Sequence, residues 1–329
     1  PILALMRMSL GEGSVPRSRA YWEWKHRENP FGFSPCLVAT VGTELVGLRV
    51  FMRWNWTLDG KTVPSVRAVD TATHPAWRGQ GIFSRLTRAL LHVVEEEGVY
   101  FVFNTPNDKS RPGYLKMGWS DVGRISLWVR PVRPIRLLSH LRERQRPDSS
   151  VDSEGSESLD GLGSDPAGLA RTAGIEEFLL AITTPPDRLA TERTPDYLRW
   201  RFASVPDISY RAIWELAGSA GAAVLFRIKR RGSLCELRLC EVLVGAGATS
   251  SRIARGLIRD LIRQAPVDFV TAMTVTGARS AGLLGSLGFA PMPRVGPIMT
   301  ARAVQNRSLG LELTRRASWH ASIGDLELF

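Results

Sequence analysis

The sequence predicts a mixed α/β fold, a mostly antiparallel central sheet flanked by helices, laid down twice along the chain. Three observations predict it. Alternating, β-rich stretches follow one another between Cys36 and Thr73 and then give way to a long run of helical periodicity. Residues 147–170 hold Asp148, Asp152, Glu154, Glu157, Asp160 and Asp165 among serines and glycines, with no Lys or Arg, which is linker composition between two parts of similar length. The second part also echoes the first. Tyr21-Trp22-Glu23-Trp24-Lys25, followed by Pro30, returns 176 residues later as Tyr197-Leu198-Arg199-Trp200-Arg201, followed by Pro206, and residues 110–119 match residues 280–289.

Taken in order, residues 36–41 and 45–56 are strands joined at Gly42-Thr43, and Asp59-Gly60 turns the chain into a third strand, residues 63–73, making an antiparallel meander. Ile82, Leu86, Leu90, Val93 and Val94 then recur at helical spacing, so residues 82–97 form a helix. A short buried strand (99–103), a short helix (110–117) and a strand (122–129) complete the unit, with a right-handed crossover where parallel strands are joined. In the second part the same order assigns strands to 210–214, 223–229 and 235–244 and a helix to 252–263. The expected domains are 1–140, a linker over 141–172, 173–305, and a C-terminal tail over 306–329, with the first strand of the first unit lying before Pro1.

Composition sets limits on function. Over 329 residues, 44% hydrophobic and 23% charged residues are the balance of a globular chain, and no apolar run is long enough for a spanning helix, so no membrane partner is expected. Cys36, Cys235 and Cys240 are too few and scattered for a disulfide framework or a metal site; buried thiols in a reducing, cytoplasmic setting are the expectation. The net charge of +11 is carried by arginine, and no nucleic-acid reading motif accompanies it, so it permits an anionic ligand without implying a nucleic-acid partner.

The segment with chemical content is residues 69–83. A strand runs through His74-Pro75-Ala76-Trp77 into Arg78-Gly79-Gln80-Gly81 and opens the long helix at Ile82 and Phe83. Such a turn aims successive backbone N–H groups outward at the positive end of the helix dipole, which makes an anion cradle. No Gly-Lys-Ser/Thr follows, so it is not a Walker loop, and the three-glycine dinucleotide pattern is missing.

Here the sequence resembles the GNAT superfamily of acyl-CoA-dependent N-acyltransferases. Its signature, Arg or Gln, two residues, Gly, one residue, then Gly or Ala, is met by Arg78 and Gly81 and departs at Phe83. A second family pattern is matched downstream by Asn107, Ser110, Tyr114, Gly118 and Trp119 at the family spacing. The resemblance covers about residues 1–130. It implies that the main chain of Thr71, Ala72 and Thr73 pairs with the pantetheine arm of acetyl-CoA, that the amides of Arg78, Gly79, Gln80, Gly81, Ile82 and Phe83 hold the pyrophosphate, and that Asn107 supports the donor. Tyr114 stands where the family commonly places the general acid that protonates the leaving thiolate.

By the same resemblance, an amine attacks the thioester directly and a base must take its proton. Asp70, on the right strand, acts through water or makes a structural ion pair; Glu44 and His74 are weaker candidates, His74 being better read as part of the turn. Trp54 and Trp56 share one face of a strand and are read as core rather than acceptor wall. Tyr21, Trp22 and Trp24 are open to either use.

In the second part the cradle position reads Gly245-Ala246-Gly247-Ala248, Asn107 aligns with Gly277 and Tyr114 with Leu284, which donates no proton. The expectation is two tandem GNAT-like domains, one working and one degenerate, catalysing acetyl transfer from acetyl-CoA to a primary amine of a small molecule, with no metal. The alternatives are a transferase resembling the Fem type, with an aminoacyl-tRNA donor, and a non-catalytic module that binds CoA or a metabolite.

Overall fold

The computed structural model describes residues 1–10, 18–143, 154–155, 161–182, 187–274, 278–292, 294–305 and 309–326. The expected meander forms as β1 (Cys36–Val41), β2 (Glu44–Leu58) and β3 (Lys61–Thr73), antiparallel throughout. Helices α1 (Ile2–Leu10) and α2 (Arg19–His26) precede it, α3 (Ile82–Glu96) follows it, and β4 (Phe101–Asn104), α4 (Arg111–Lys116), β5 (Ser120–Arg124) and β6 (Ser126–Pro131) come next. The second part repeats the order with Arg211–Ala217, Ala220–Arg231, Leu234–Val244, the helix Gly247–Gln264 and the strand Phe269–Thr274. Among the described residues two mixed sheets result, of eight and seven strands.

The sheets do not follow the halves of the chain. Residues 122–129, one strand in the sequence reading, divide at Ile125: β5 stays in the first sheet, whereas β6 enters the second and pairs with Phe269–Thr274 and Ala290–Met292. In return, Ile298–Ala303 lies in the first sheet between β4 and β5. The two segments touch where they cross, Ile125 donating to the Pro297 carbonyl at 2.9 Å. Gly296, at φ +115°, lies so close that a Cβ there would stand 2.1 Å from the Ile125 carbonyl oxygen. Residues 309–326, expected as a tail, return to the first sheet: Trp319–His320 pairs with Leu189–Thr191, which pairs with β2, and Trp319 is fully buried.

The sequence repeat has a physical counterpart at the seam. Trp24 Nε1 donates to the Trp200 carbonyl at 2.7 Å, Trp200 Nε1 donates to the Trp24 carbonyl at 2.8 Å, and the rings stack 5.1 Å apart. Trp54, Trp56, Phe103, Tyr197 and Trp319 join them in one aromatic core shared by both halves, so Trp54 and Trp56 are core, as read. Tyr21 and Trp24 are core too. Cys235 and Cys240 are buried as expected, but Cys36 is exposed, at the start of the sheet-edge strand β1. Among the described residues no helix is long and apolar enough to cross a membrane.

Candidate active site

β3 and β4 run parallel and pair over three positions only, Ser65 with Phe101, Val66 with Val102 and Arg67 with Phe103; toward Thr73 and Asn104 they part. Arg67 marks the apex, Nη2 donating to Thr105 Oγ1 at 3.2 Å. On its other edge β3 bulges: Leu48 faces Ala72 and Val50 faces Val69, so Asp70 and Thr71 together oppose the single residue Arg49. Asp70 takes φ +40°, uncommon for a residue with a side chain, and is thereby turned onto the α2 side.

The cradle forms at the mouth of this opening. His74 caps the short turn Pro75–Trp77, its Nδ1 accepting from Ala76 N–H at 3.3 Å, which is the turn role read from sequence. Gly79 and Gly81 sit at φ +78° and +73°, and a Cβ on either would meet no atom within 4 Å. Gly81 caps α3. The N–H groups from residue 79 to residue 84 have no hydrogen-bond partner among the described residues, so six consecutive donors lie free at the positive end of a 15-residue helix. These residues fit a diphosphate. The side chain of Arg78 points elsewhere, Nη2 donating to the Ser9 carbonyl at 2.9 Å, and the Thr73 N–H donates to Ser9 Oγ at 3.1 Å, so α1 occupies one of the amides expected to meet the pantetheine arm.

Phe83 explains its own departure from the family pattern. Its ring meets the Tyr114 ring edge-on at 5.5 Å, and a Cβ on Gly113 would stand 3.1 Å from it, so a small residue on α4 makes room for a large one on α3. Tyr114 is buried between Phe83 and Trp119, and its hydroxyl has no hydrogen-bond partner among the described residues. Beneath both rings lies Arg49, which donates to Thr71 Oγ1 and so links the bulge to the tyrosine. The structure therefore brings Thr71, Phe83 and Tyr114 together. Asn107 stands apart from them as an exposed cap, its Oδ1 accepting from Ser110 N–H at 2.9 Å and so fixing the start of the helix that carries Tyr114.

Of the two roles open to Asp70, the structure shows the ion pair. Lys25 Nζ lies 2.8 Å and His26 Nε2 2.9 Å from Oδ2. Desolvation raises the pKa of this carboxyl, but Lys25 and His26 more than reverse that and hold it well below the usual range. Asp70 is thus a carboxylate and a weak base, with Oδ1 unpartnered among the described residues. Because an ionised carboxylate only accepts, a neutral His26 carries its proton on Nε2 and accepts at Nδ1 from Ser34 Oγ, 2.9 Å away. Glu44 lies 3.6 Å from His74 Nε2 and supports the turn. Sequence reasoning missed Lys25, His26 and Arg49. Among the described residues no cluster of three His, Cys, Asp or Glu gathers as a metal ion would require.

Residues 4–122 match the family model described as the acetyltransferase (GNAT) domain. This part of the chain is a GNAT domain. Solved structures with the same fold extend the likeness to nearly the whole chain. A probable N-acyltransferase from Enterococcus faecalis aligns over 92% of this chain and 69% of its own, with a TM-score of 0.62 and 12% identity. A GCN5-related N-acetyltransferase from Kribbella flavida aligns over 92% and 68%, with a TM-score of 0.60 and 17% identity. N-myristoyltransferase from Saccharomyces cerevisiae, solved with bound myristoyl-CoA, aligns over 93% and 76%, with a TM-score of 0.55 and 12% identity. No curated protein sequence matches the chain. In the second part the position aligned with Tyr114 is the buried Leu284, and Gly277, aligned with Asn107, lies outside the described residues.

Proposed function

We propose that the protein transfers the acetyl group of acetyl-CoA to a primary amine of a small molecule by direct attack. The observation that carries this reading is the opening between β3 and β4, with six free N–H donors at its mouth and Tyr114 packed beside Phe83. The diphosphate lies against the cradle, the pantetheine follows β3, and the thioester reaches the bulge. Asp70 attracts the acceptor as an ammonium ion, whose proton passes to water. The amine nitrogen then bonds to the carbonyl carbon, the carbon–sulfur bond breaks with its electron pair on sulfur, the Tyr114 hydroxyl protonates the sulfur, and the second proton, shed by the new amide nitrogen, returns through water to the Tyr114 phenolate.

The second half acts as a buttress in this reading, a degenerate copy that lends Leu189–Thr191, Ile298–Ala303 and Trp319–His320 to the first sheet and carries Leu284 in place of a tyrosine. The test is thiol release from acetyl-CoA in the presence of a panel of primary amines, with parent and Tyr114→Phe. Parent turnover that falls by about 100-fold in the variant, at CoA affinity within about 3-fold, is the expected outcome. Equal turnover in the two would remove Tyr114 from the chemistry.

A further inference from the structure

Arg49 is the one charged residue in the apolar run from Val46 to Met52 of β2, and it is fully buried. Its guanidinium lies 4.8 Å from the Phe51 ring, 5.3 Å from Tyr114 and 5.5 Å from Phe83. Nη1 donates to Thr71 Oγ1, whereas Nε and Nη2 are buried with no hydrogen-bond partner. No carboxylate pairs with it among the described residues. A fold that buries a cation without a counter-charge gives up several kcal/mol, and aromatic faces return only part of that. The position is specific: the charge lies under the phenol of Tyr114 and beside the bulge, at the inner end of the anion cradle.

We propose that Arg49 is a positioning residue that supplies the missing positive charge for the leaving sulfur. When the carbon–sulfur bond breaks, the electron pair stays on sulfur, and the negative charge is shared between thiolate and phenolate as the Tyr114 proton moves. Arg49 stands fixed beneath that pair before the reaction begins, so its field needs no reorganisation. The buried charge that costs the resting fold stability is matched only as the thiolate forms. Thr71 and the three rings hold it in place; Phe83, at odds with the family signature, belongs to this cage. The inference rests on the acyl-CoA reading above.

Its test needs no acceptor. CoA and desulfo-CoA, which lacks the thiol, are titrated calorimetrically at pH 9, where a free thiol is partly ionised and a site that favours the thiolate draws it over. The parent is expected to bind CoA about 10-fold or more tighter than desulfo-CoA. In Arg49→Met the preference falls to within about 3-fold while desulfo-CoA affinity is unchanged, and Arg49→Lys keeps most of it. A parent without the preference, or an Arg49→Met that retains it or weakens both ligands equally, overturns the proposal. Should Arg49→Met not fold, Arg49→Gln replaces it: Gln must lose the preference that Lys keeps. If the parent binds neither ligand, the acyl-CoA reading itself fails and takes this proposal with it; if CoA binds without the preference, only Arg49 is refuted.

Discussion

Separating the halves of the chain within the acidic linker should leave neither able to fold alone. The first half would lose Ile298–Ala303, which pairs at four positions with β4 and at four with β5 and so joins β5 to the rest of its sheet. It would also lose the fully buried Met299, the bond from Thr300 to Asn104 and the aromatic partner Trp200. Ladder hydrogen bonds contribute about 1 kcal/mol each net, and burying a methionine about 2 kcal/mol. The strand alone therefore accounts for ~10 kcal/mol, as much as the whole stability of an ordinary domain. Far-ultraviolet circular dichroism and urea unfolding of the separate halves and of the two co-expressed check this. Apart, they should be unfolded or aggregated; together, they should assemble one-to-one with the cooperative unfolding of the intact chain. A first half that unfolds cooperatively by itself, with stability within about 2 kcal/mol of the parent, would refute the strand exchange.

Three further outcomes follow from particular residues. Gly81→Glu places a carboxylate over the cradle in open space; at ~5 Å from a phosphate its repulsion is about 3 kcal/mol, a loss of about 100-fold in CoA affinity, whereas Gly81→Asn, which tolerates the left-handed backbone, should lose under 10-fold. His320 is pushed down to about 4 by burial and then by Arg193, and its Nδ1 has no partner. The unfolded imidazole titrates near 6.5, so stability is full above that pH and falls as pH drops through 4, by up to about 3 kcal/mol; urea unfolding at pH 7 and pH 4.5 should show a smaller fall in His320→Gln. Trp24→Phe and Trp200→Phe should each cost about 1–3 kcal/mol in the same assay, since each removes a buried indole–carbonyl hydrogen bond, and the double variant should cost less than their sum because the rings stack on one another.

The features legible in the sequence were those fixed by local geometry. Gly79 and Gly81 announce left-handed turns, and five apolar residues at helical spacing announce α3, because each requirement is met within a few residues. The strand exchange was hidden because no proline and no loop-length polar run separates Val122 from Val129, and the side-chain pattern of a strand does not say which sheet it joins. The partners of Asp70 were hidden for a different reason. Lys25 and His26 end a helix 44 or more positions away, and nothing in either segment encodes their meeting. Arg49 did leave a signal, a lone charge in a run that is otherwise apolar on both faces. Trp319 gave none, since a single tryptophan near a chain end reads equally as tail or core.

Calorimetric titration of acetyl-CoA into the intact protein tests the central claim most directly, because one isotherm reports both whether the cradle works and how many of the two halves carry a site. One acetyl-CoA bound per chain, with affinity about 100-fold weaker in Gly81→Glu, is the expected result. Two equivalents would contradict the assignment of the donor site to the first half alone, and an isotherm without binding heat at any temperature tried would contradict the acyl-CoA reading altogether.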